Sequence, residues 1–316
     1  MTHAGTEVSD PTMVRAYQLL SRLARSDLTV MLTGETGVGK EHAAHALHRG
    51  SRRSTGPMIA LNCAAIPDAL VESELFGYER GAFSGAATAR AGLLEQANGG
   101  TLFLDEVGEL SAAAQAKLLR AIELRRVTRI GGVRDASVDI RLVAATNRTL
   151  ADDVRTGRFR HDLLFRLTAA CVMLPPLRER QTELRVLAQL FLDRACGQGA
   201  ALVLSTATLD RLARYPWPGN VRELKNAMEY VAATVDHETV EPSDLPPPLG
   251  DAACDRPAPS STGPFRPISH ELRELERRRM VEALAATRGV QKRAAALISM
   301  PLRTFAMKVK QYGLAR

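Results

Sequence analysis

The feature that most constrains the fold is a glycine-rich turn between a strand-like run and a helical run. Leu28–Thr33 is apolar, residues 34–41 read GETGVGKE, and His42–Leu47 has helical spacing. Glycines let successive backbone N–H groups curl around phosphate oxygens, the helix N-terminus adds its positive dipole end, and Lys40 adds a charge for the outer phosphates. This order predicts the phosphate loop of a nucleotide-binding α/β domain.

The turn supplies a set of candidate nucleotide-binding residues, and its last member departs from the general pattern. Glu41 stands where that pattern has Ser or Thr, the usual Mg²⁺ ligand. The turn alone therefore does not define the metal ligands. The candidates are Gly34, Glu35, Thr36, Gly37, Val38, Gly39, Lys40 and Glu41.

Two later strand ends carry the remaining polar candidates. Thr101–Leu104 runs into Asp105 and Glu106, which can place Asp105 on Mg²⁺, directly or through water, and Glu106 on an attacking water. Such an acidic pair is often only a solvated loop, but together with a phosphate loop it predicts ATP hydrolysis. Asn147 also follows an apolar run, where its amide could bind the γ-phosphate or the water.

Arg160 and Arg166 form a third candidate pair, in FRHDLLFRL (159–167). Six residues span about one and two-thirds helical turns, so the two need not share a face. Either they are ordinary surface arginines, or one or both reach the γ-phosphate of a neighbouring subunit. The spacing leaves both interpretations open.

Four apolar runs alternate with helical patterns such as Ala112–Leu124, which is typical of a parallel α/β sheet. After about Leu174 the strands stop, and the patterns predict a small helical lid. The apolar runs are Leu28–Thr33, Met58–Leu61, Thr101–Leu104 and Ile140–Ala144, and the lid patterns are Glu183–Cys196, Thr206–Tyr215 and Val221–Thr234.

Positive charge is concentrated at the C-terminus. The net charge is +7, and between Ile268 and Arg316 eleven basic residues stand against four Glu, so this segment carries the whole excess. Such a tail is typical of a small nucleic-acid-binding domain. Pro246–Pro267, with seven of the sixteen prolines, predicts a semi-extended linker before it.

The cysteine pattern and the hydropathy argue against a metal-binding, secreted or membrane-spanning protein. Four cysteines without C-x-x-C spacing argue against a metal site and favour the reduced thiols of a cytoplasm. No apolar run approaches the about 18 residues of a membrane span, and the N-terminus lacks the form of a signal peptide. We expect no membrane partner. The cysteines are Cys63, Cys171, Cys196 and Cys254.

Taken in order, the motifs resemble the AAA+ domain of bacterial enhancer-binding proteins, the NtrC-like activators of sigma-54 RNA polymerase. The resemblance runs from about Val8 to Leu245 and implies a AAA+ P-loop NTPase that binds ATP and Mg²⁺. In this family Glu also follows the lysine. The motifs are GETGVGKE (34–41), LNCAAIP (61–67), ESELFGYERGAFSGA (72–86), GGTLFLDEVGEL (99–110), RIGG (129–132), AATNR (144–148), FRHDLLFRL (159–167), LPPLRER (174–180) and WPGNVREL (217–224).

The resemblance implies a role for each matched polar residue. The trans-acting arginines imply a ring of copies, usually a hexamer, with active sites between subunits. The implied roles are phosphate binding by Lys40, metal and water binding by Asp105 and Glu106, a switch that holds the catalytic Glu at Asn62, sensor I at Asn147, trans-acting arginines at Arg160 and Arg166, and sensor II on the lid at Arg222.

One loop matches the part of the family that touches sigma-54. From its own residues the loop has no strand or helix periodicity, and an isolated Phe83 would be expected to return to the core. The family signature is GAFTGA, whereas Ser84 replaces Thr here and keeps the hydroxyl but loses the methyl. The resemblance implies a sigma-54 contact through Gly81, Ala82, Phe83, Ser84, Gly85 and Ala86. The sequence leaves open whether the lost methyl weakens this contact.

The tail resembles a Fis-type helix-turn-helix. Ser269 is predicted to cap a helix to about Ala286, followed by a first motif helix over Gly289–Leu297 and a recognition helix over Leu302–Tyr312. Ser299 replaces the usual turn glycine, and Pro301 replaces the usual opening serine. The alternative is a basic helical hairpin for dimerisation. The DNA-binding candidates are Lys292, Arg293, Arg303, Thr304, Lys308 and Lys310.

The chain is thus expected to contain an α/β ATPase subdomain (1–173), a helical lid (174–245), a linker (246–267) and an all-α DNA-binding domain (268–316). The implied function is ATP-driven remodelling of the sigma-54 RNA polymerase closed complex from enhancer-like DNA sites, in the bacterial cytoplasm and at the nucleoid. The alternatives are a DNA-binding regulator or repressor that uses nucleotide only as an assembly signal, and a AAA+ remodeller of another target.

Few residues precede the ATPase segment, whereas most members of the family begin with a receiver, PAS or GAF sensory domain. We therefore expect control by a regulatory protein in trans or by expression level, unless the sequence is a fragment of a longer protein.

Overall fold

The computed structural model describes residues 2–3, 6–7, 10–197, 202–250, 268–287, 289–312 and 314. The chain forms two compact units, Met1–Asp255 and Arg256–Arg316. Most of the predicted linker, residues 251–267, lies outside the described residues. In the described part of the chain, no helix combines the length and apolar character that crossing a membrane requires.

A five-stranded parallel sheet forms the centre of the first unit. All four predicted runs are strands of this sheet, which confirms the α/β expectation. The strands are β1 Val30–Thr33, β2 Met58–Asn62, β3 Thr101–Asp105, β4 Arg141–Thr146 and β5 Ala170–Met173. Their spatial order is β5-β1-β4-β3-β2. The sequence does not predict the edge strand β5, because three of its four residues are not buried.

Helices cover both faces of the sheet, so the middle residues of its central strands are apolar. On β1, Val30 and Leu32 pack into one core, whereas Met31 packs into the other. The helices are α1 Pro11–Ala24, α2 Lys40–Arg49, α3 Asp68–Phe76, α4 Leu93–Gln96, α5 Ala112–Leu124, α6 Leu150–Arg155 and α7 His161–Leu167.

The helices of the lid share one apolar core that includes the fully buried Trp217. The expectation that strands stop after Leu174 is wrong, since Val203–Leu204 pairs in parallel with Thr239–Val240. Strands of two residues are too short to show the alternation of apolar and polar residues that predicts a strand. Leu249 is buried in the same core, so the lid extends past residue 245. The helices are α8 Gln181–Cys196, α9 Thr206–Arg214 and α10 Asn220–Thr234.

The segment that carries the GAFSGA loop begins and ends at one point. Gly77–Tyr78 pairs with Arg90–Ala91 in antiparallel fashion. A Cβ on Gly77 would lie 2.4 Å from the Gly92 nitrogen, a contact that only glycine permits. The remaining short elements are the antiparallel pairs Arg126–Thr128 with Asp135–Ser137 and Thr2–His3 with Thr6–Glu7, and the 3-10 turns Val107–Glu109, Leu177–Glu179 and Pro242–Asp244.

Within its described residues, the second unit has the helices α11 Ile268–Ala286, α12 Gln291–Leu297 and α13 Leu302–Gln311. Ser269 lies within the bounds of α11. Ser299 has a φ of 54°, the left-handed conformation for which glycine is usual at this turn. A small core joins the three helices through Met280, Ala283, Ala294, Ala295, Phe305 and Val309.

Candidate active site

The phosphate loop joins β1 to α2 and depends on glycine backbone conformations. Gly34, Gly37 and Gly39 have φ of 150°, 80° and 102°, a region that residues with a Cβ rarely adopt. Lys40 begins α2, and its Nζ donates to the Gly34 carbonyl at 3.0 Å. The lysine is only 6% exposed, so its charge is held inside the loop.

Glu106 faces the loop from the end of β3. Its φ of 51° costs a residue with a Cβ about 1–2 kcal/mol. Its Oε1 lies 3.3 Å from Lys40 Nζ, and its Oε2 accepts from the Asn147 N–H at 3.1 Å. The strained backbone thus aims the carboxylate at the phosphate-binding lysine, which is where such strain is commonly retained.

Asp105 is a partly buried carboxylate that lies next to a second carboxylate. Burial raises its pKa, the Glu106 carboxylate raises it further, and Lys40 lowers it. The described residues contain no group of three or more His, Cys, Asp or Glu that could hold a metal by themselves. Because Mg²⁺ is usually bound by one or two carboxylates together with substrate phosphates, these two acids fit a Mg²⁺ ion that arrives with a nucleotide.

The two asparagines differ in their contacts. Asn147 Nδ2 donates to Thr36 Oγ1 at 2.9 Å, so this residue meets both the phosphate loop and Glu106. Asn62 lies beside Asp105 in the sheet register, but its Oδ1 accepts from the Ala64 N–H at 2.9 Å. In this structure the Asn62 Oδ1 caps its own turn, and the role of Asn62 in holding Glu106 stays a prediction.

A cleft of about 800 Å³ lies between the phosphate loop and the lid. Gly34, Glu35 and Val38 do not line it; Val38 is fully buried in the core. The lid wall comes from α8 and α10. The predicted residues that the structure brings together here are Thr36, Gly37, Gly39, Lys40, Glu41, Asn62, Asp105, Glu106, Asn147 and Arg222.

The Glu35 side chain faces the lid. Both guanidinium NH2 groups of Arg178 donate to its carboxylate, at 2.9 Å and 2.6 Å, and Asn220 Nδ2 donates to it at 3.1 Å. The hydrogen bonds from Arg178 lower the pKa of Glu35. The sequence reasoning missed Arg178 and Asn220 because nothing local shows that a lid turn packs on the phosphate loop. The sequence does offer one sign of such a turn: Asn220 follows Pro218 and Gly219, and Asn tolerates the positive φ that tight turns require.

Arg160 immediately precedes α7 and Arg166 lies on it. Neither residue lines the cleft of its own chain. Arg160 pairs with Asp162 at 2.7 Å, and Arg166 pairs with Glu123 at 3.0 Å. Both side chains are about half exposed. The two arginines are therefore surface groups that other molecules can reach.

The GAFSGA loop is closed by its own backbone. The Gly81 N–H donates to the Ala86 carbonyl at 2.9 Å, and the Ala86 N–H donates to the Phe83 carbonyl at 3.1 Å. Phe83 is 44% exposed, and its ring contacts Tyr78 edge-on, with 5.0 Å between ring centroids. The aromatic side chain thus stands at the surface and does not return to the core.

In the second unit the DNA-binding candidates fall into two groups. Lys308 is bound to Glu276, whose other oxygen accepts from the Tyr312 hydroxyl at 2.7 Å, so this lysine joins α13 to α11. Thr304 is half-buried. The exposed candidates are Lys292, Arg293, Arg303 and Lys310.

The sheet order, the phosphate loop and the acid pair define the AAA+ class of P-loop nucleotide-binding proteins. Models of known families match almost the whole chain: the sigma-54 interaction domain at residues 7–173, the AAA+ ATPase lid domain at 178–262, and the bacterial regulatory proteins of the Fis family at 271–312. The chain therefore belongs to the NtrC-like enhancer-binding proteins, the sigma-54-dependent transcription activators.

Individual relatives agree with this family. Regulatory protein AtoC of Escherichia coli (strain K12) is 39% identical over 97% of this chain, and the regulator NtrC of Azospirillum brasilense is 40% identical over 96%. The chain spans about two thirds of each. The crystal structure of NtrX from Brucella abortus in complex with ATP superimposes with a TM-score of 0.73 at 28% identity, covering 98% of this chain and 70% of NtrX.

Proposed function

We propose that the chain is an ATP-hydrolysing, DNA-binding activator that remodels the sigma-54 RNA polymerase closed complex so that the open complex forms. The observation that carries this proposal is the half-exposed Phe83 at a loop within the same compact unit as the nucleotide cleft. An aromatic ring held at the surface is suited to contact with a partner protein.

Hydrolysis would use the residues that meet at the cleft. Lys40 binds the outer phosphates, and Glu106 then loses part of its ion pair and becomes free to orient a water. The water attacks the γ-phosphorus, the bond to the bridging oxygen breaks, and Glu106 accepts the proton. Asn147 holds the carboxylate in place. Mg²⁺ bound at Asp105 would neutralise charge on the phosphates.

Assembly into a ring would complete the site. Arg160 and Arg166 are exposed and outside their own cleft, which supports the proposal that they act on the nucleotide of a neighbouring copy. Their acidic partners Asp162 and Glu123 would then be exchanged for phosphate oxygens. A ring, a hexamer by family expectation, would also present several Phe83 loops to one polymerase.

DNA binding would be the task of the second unit. Exposed Arg303 and Lys310 on α13 favour a recognition helix in the major groove, with Lys292 and Arg293 at the start of α12 near the phosphates. Lys308 would act by positioning α13. Such a regulator works where the bacterial chromosome lies, so we place it in the cytoplasm.

The decisive experiment measures open-complex formation on a sigma-54 promoter with purified protein, a cognate DNA site and ATP. We expect promoter melting with ATP but not with a non-hydrolysable analogue, loss of melting for Phe83→Ala with retained ATPase activity, and stronger melting for Ser84→Thr. Lys40→Ala should lose nucleotide binding. Absence of melting with ATP would favour the alternative, a DNA-bound regulator that uses nucleotide only for assembly.

A further inference from the structure

The side chain of Asn220 joins the lid to the rear of the phosphate loop. It is fully buried and makes three hydrogen bonds: its Nδ2 donates to the Thr36 carbonyl at 3.0 Å and to Glu35 Oε2 at 3.1 Å, and its Oδ1 accepts from the Leu177 N–H at 2.8 Å. We propose that Asn220 is a positioning residue that holds the phosphate loop in its nucleotide-binding conformation. The inference rests on the ATPase activity proposed above.

The backbone geometry explains how a bond behind the loop affects the side that binds nucleotide. Asn220 holds the Thr36 carbonyl, and the Val221 N–H donates to the Gly37 carbonyl at 3.0 Å. Because a peptide group is planar and trans, a carbonyl fixed toward the lid turns the next N–H to the opposite side. The N–H that follows the Thr36 carbonyl is that of Gly37, which lines the cleft, so the Asn220 contact sets the orientation of this donor.

The lid turn at residues 219–220 packs directly against the backbone of the phosphate loop. A Cβ on Gly37 would lie 2.3 Å from the Gly219 carbonyl oxygen, so the two backbones touch without intervening side chains. Asn220 has a φ of 52°, which Asn tolerates better than most residues. The lid turn can therefore reach the loop only in a conformation that this residue type supports.

Charge at the contact favours an amide at position 220. The Glu35 carboxylate is held by Arg178, but that pair is about 40% exposed on each side and contributes little by itself. The buried Asn220 amide donates to the Thr36 carbonyl and to this carboxylate at once. A second carboxylate in its place would face two acceptors with no proton to share.

Asn220→Asp tests the role with almost no change of shape. It keeps the acceptor for the Leu177 N–H and the tolerance of positive φ, but it removes the donor. We expect the Kd for a fluorescent ATP analogue to rise about 10- to 100-fold, and the KM of ATPase to rise more than kcat falls. The double variant Glu35→Gln with Asn220→Asp again places one amide against one carboxylate, and should recover part of the affinity.

The matched control is Arg185→Gln, which lowers the lid charge by the same amount at an exposed pair with Asp210 and should leave the Kd within about twofold. If Asn220→Asp does not fold, Asn220→Gly removes the side-chain bonds without backbone strain and should show the same loss. Unchanged affinity in the folded variant would overturn the positioning role. Absence of ATP turnover in the wild type would instead overturn the proposed function.

Discussion

Glu106→Gln should change nucleotide binding and turnover in opposite directions: ATP should bind more tightly, and kcat should fall. In the structure the Glu106 carboxylate pairs with Lys40, at 3.3 Å between Oε1 and Nζ, with both side chains largely buried at 15% and 6% exposure. A phosphate that binds Lys40 would therefore compete with this carboxylate. The amide keeps an oxygen for the Asn147 N–H but gives up the charge. Lys40 is then free for ATP, whereas the base for the attacking water is lost.

The magnitudes follow from these contacts. A charge-assisted hydrogen bond contributes about 1.5–3 kcal/mol, and because the 3.3 Å contact is long we expect about 1.4 kcal/mol of competition, or about a tenfold lower Kd for ATP. Loss of a general base costs about 10²- to 10⁴-fold in kcat, which corresponds to about 2.7–5.4 kcal/mol of barrier.

The assays are titration with a fluorescent ATP analogue for Kd and phosphate release for kcat. Lys40→Met serves as the opposite control, because it should lose binding and turnover together. A kcat within about threefold of the wild type would remove Glu106 from the role of base. Weaker ATP binding would show that the Lys40–Glu106 pair prepares the site and does not compete with the nucleotide.

Three further changes have defined outcomes. Gly37→Ala places a Cβ 2.3 Å from the Gly219 oxygen at a φ of 80°, so ATP affinity should fall more than about tenfold, measured by the same titration. Asp105→Asn should abolish ATPase activity yet raise the melting temperature at pH 7. The pKa of Asp105 is raised in the fold, so its ionised form costs stability; the gain should shrink as the pH falls through that pKa and vanish below the ordinary 3.8. Glu276→Gln should destabilise the second unit by about 1 kcal/mol, seen as faster proteolysis between α11 and α13. The pKa of Glu276 is lowered by its bonds to Lys308, so this difference is present at neutral pH and lost as the pH falls below 4.5.

The nucleotide site was largely predictable because its parts are local in sequence. The glycines before Lys40 follow β1, Asp105 and Glu106 lie at the end of β3, and the carboxyl ends of parallel strands meet at one edge of a sheet. Helix Ala112–Leu124 has the predicted bounds because Ser111 caps it, with its hydroxyl accepting from the Ala114 N–H. Patterns of this kind depend only on neighbouring residues.

What the sequence did not predict depends on pairs distant along the chain. Asn220 and Thr36 are 184 residues apart, and Glu276 and Lys308 are 32 apart. Residue type alone does not give these contacts: Glu35 and Lys308 each stand in a binding motif, yet in this structure Glu35 pairs with Arg178 and Lys308 pairs with Glu276. Their actual contacts are set by packing between elements, which periodicity does not encode.

The close backbone contact between Gly77 and Gly92, where the GAFSGA segment begins and ends, has an evolutionary consequence. Since its two ends meet, the segment enters and leaves the ATPase unit at nearly one point, and its length places no demand on the sheet or the cleft. Exchange of residues 78–91 for a loop of another length would leave the nucleotide machinery intact. The ATPase unit can therefore accept a replacement loop that binds another protein, provided that Gly77 and Gly92 are kept.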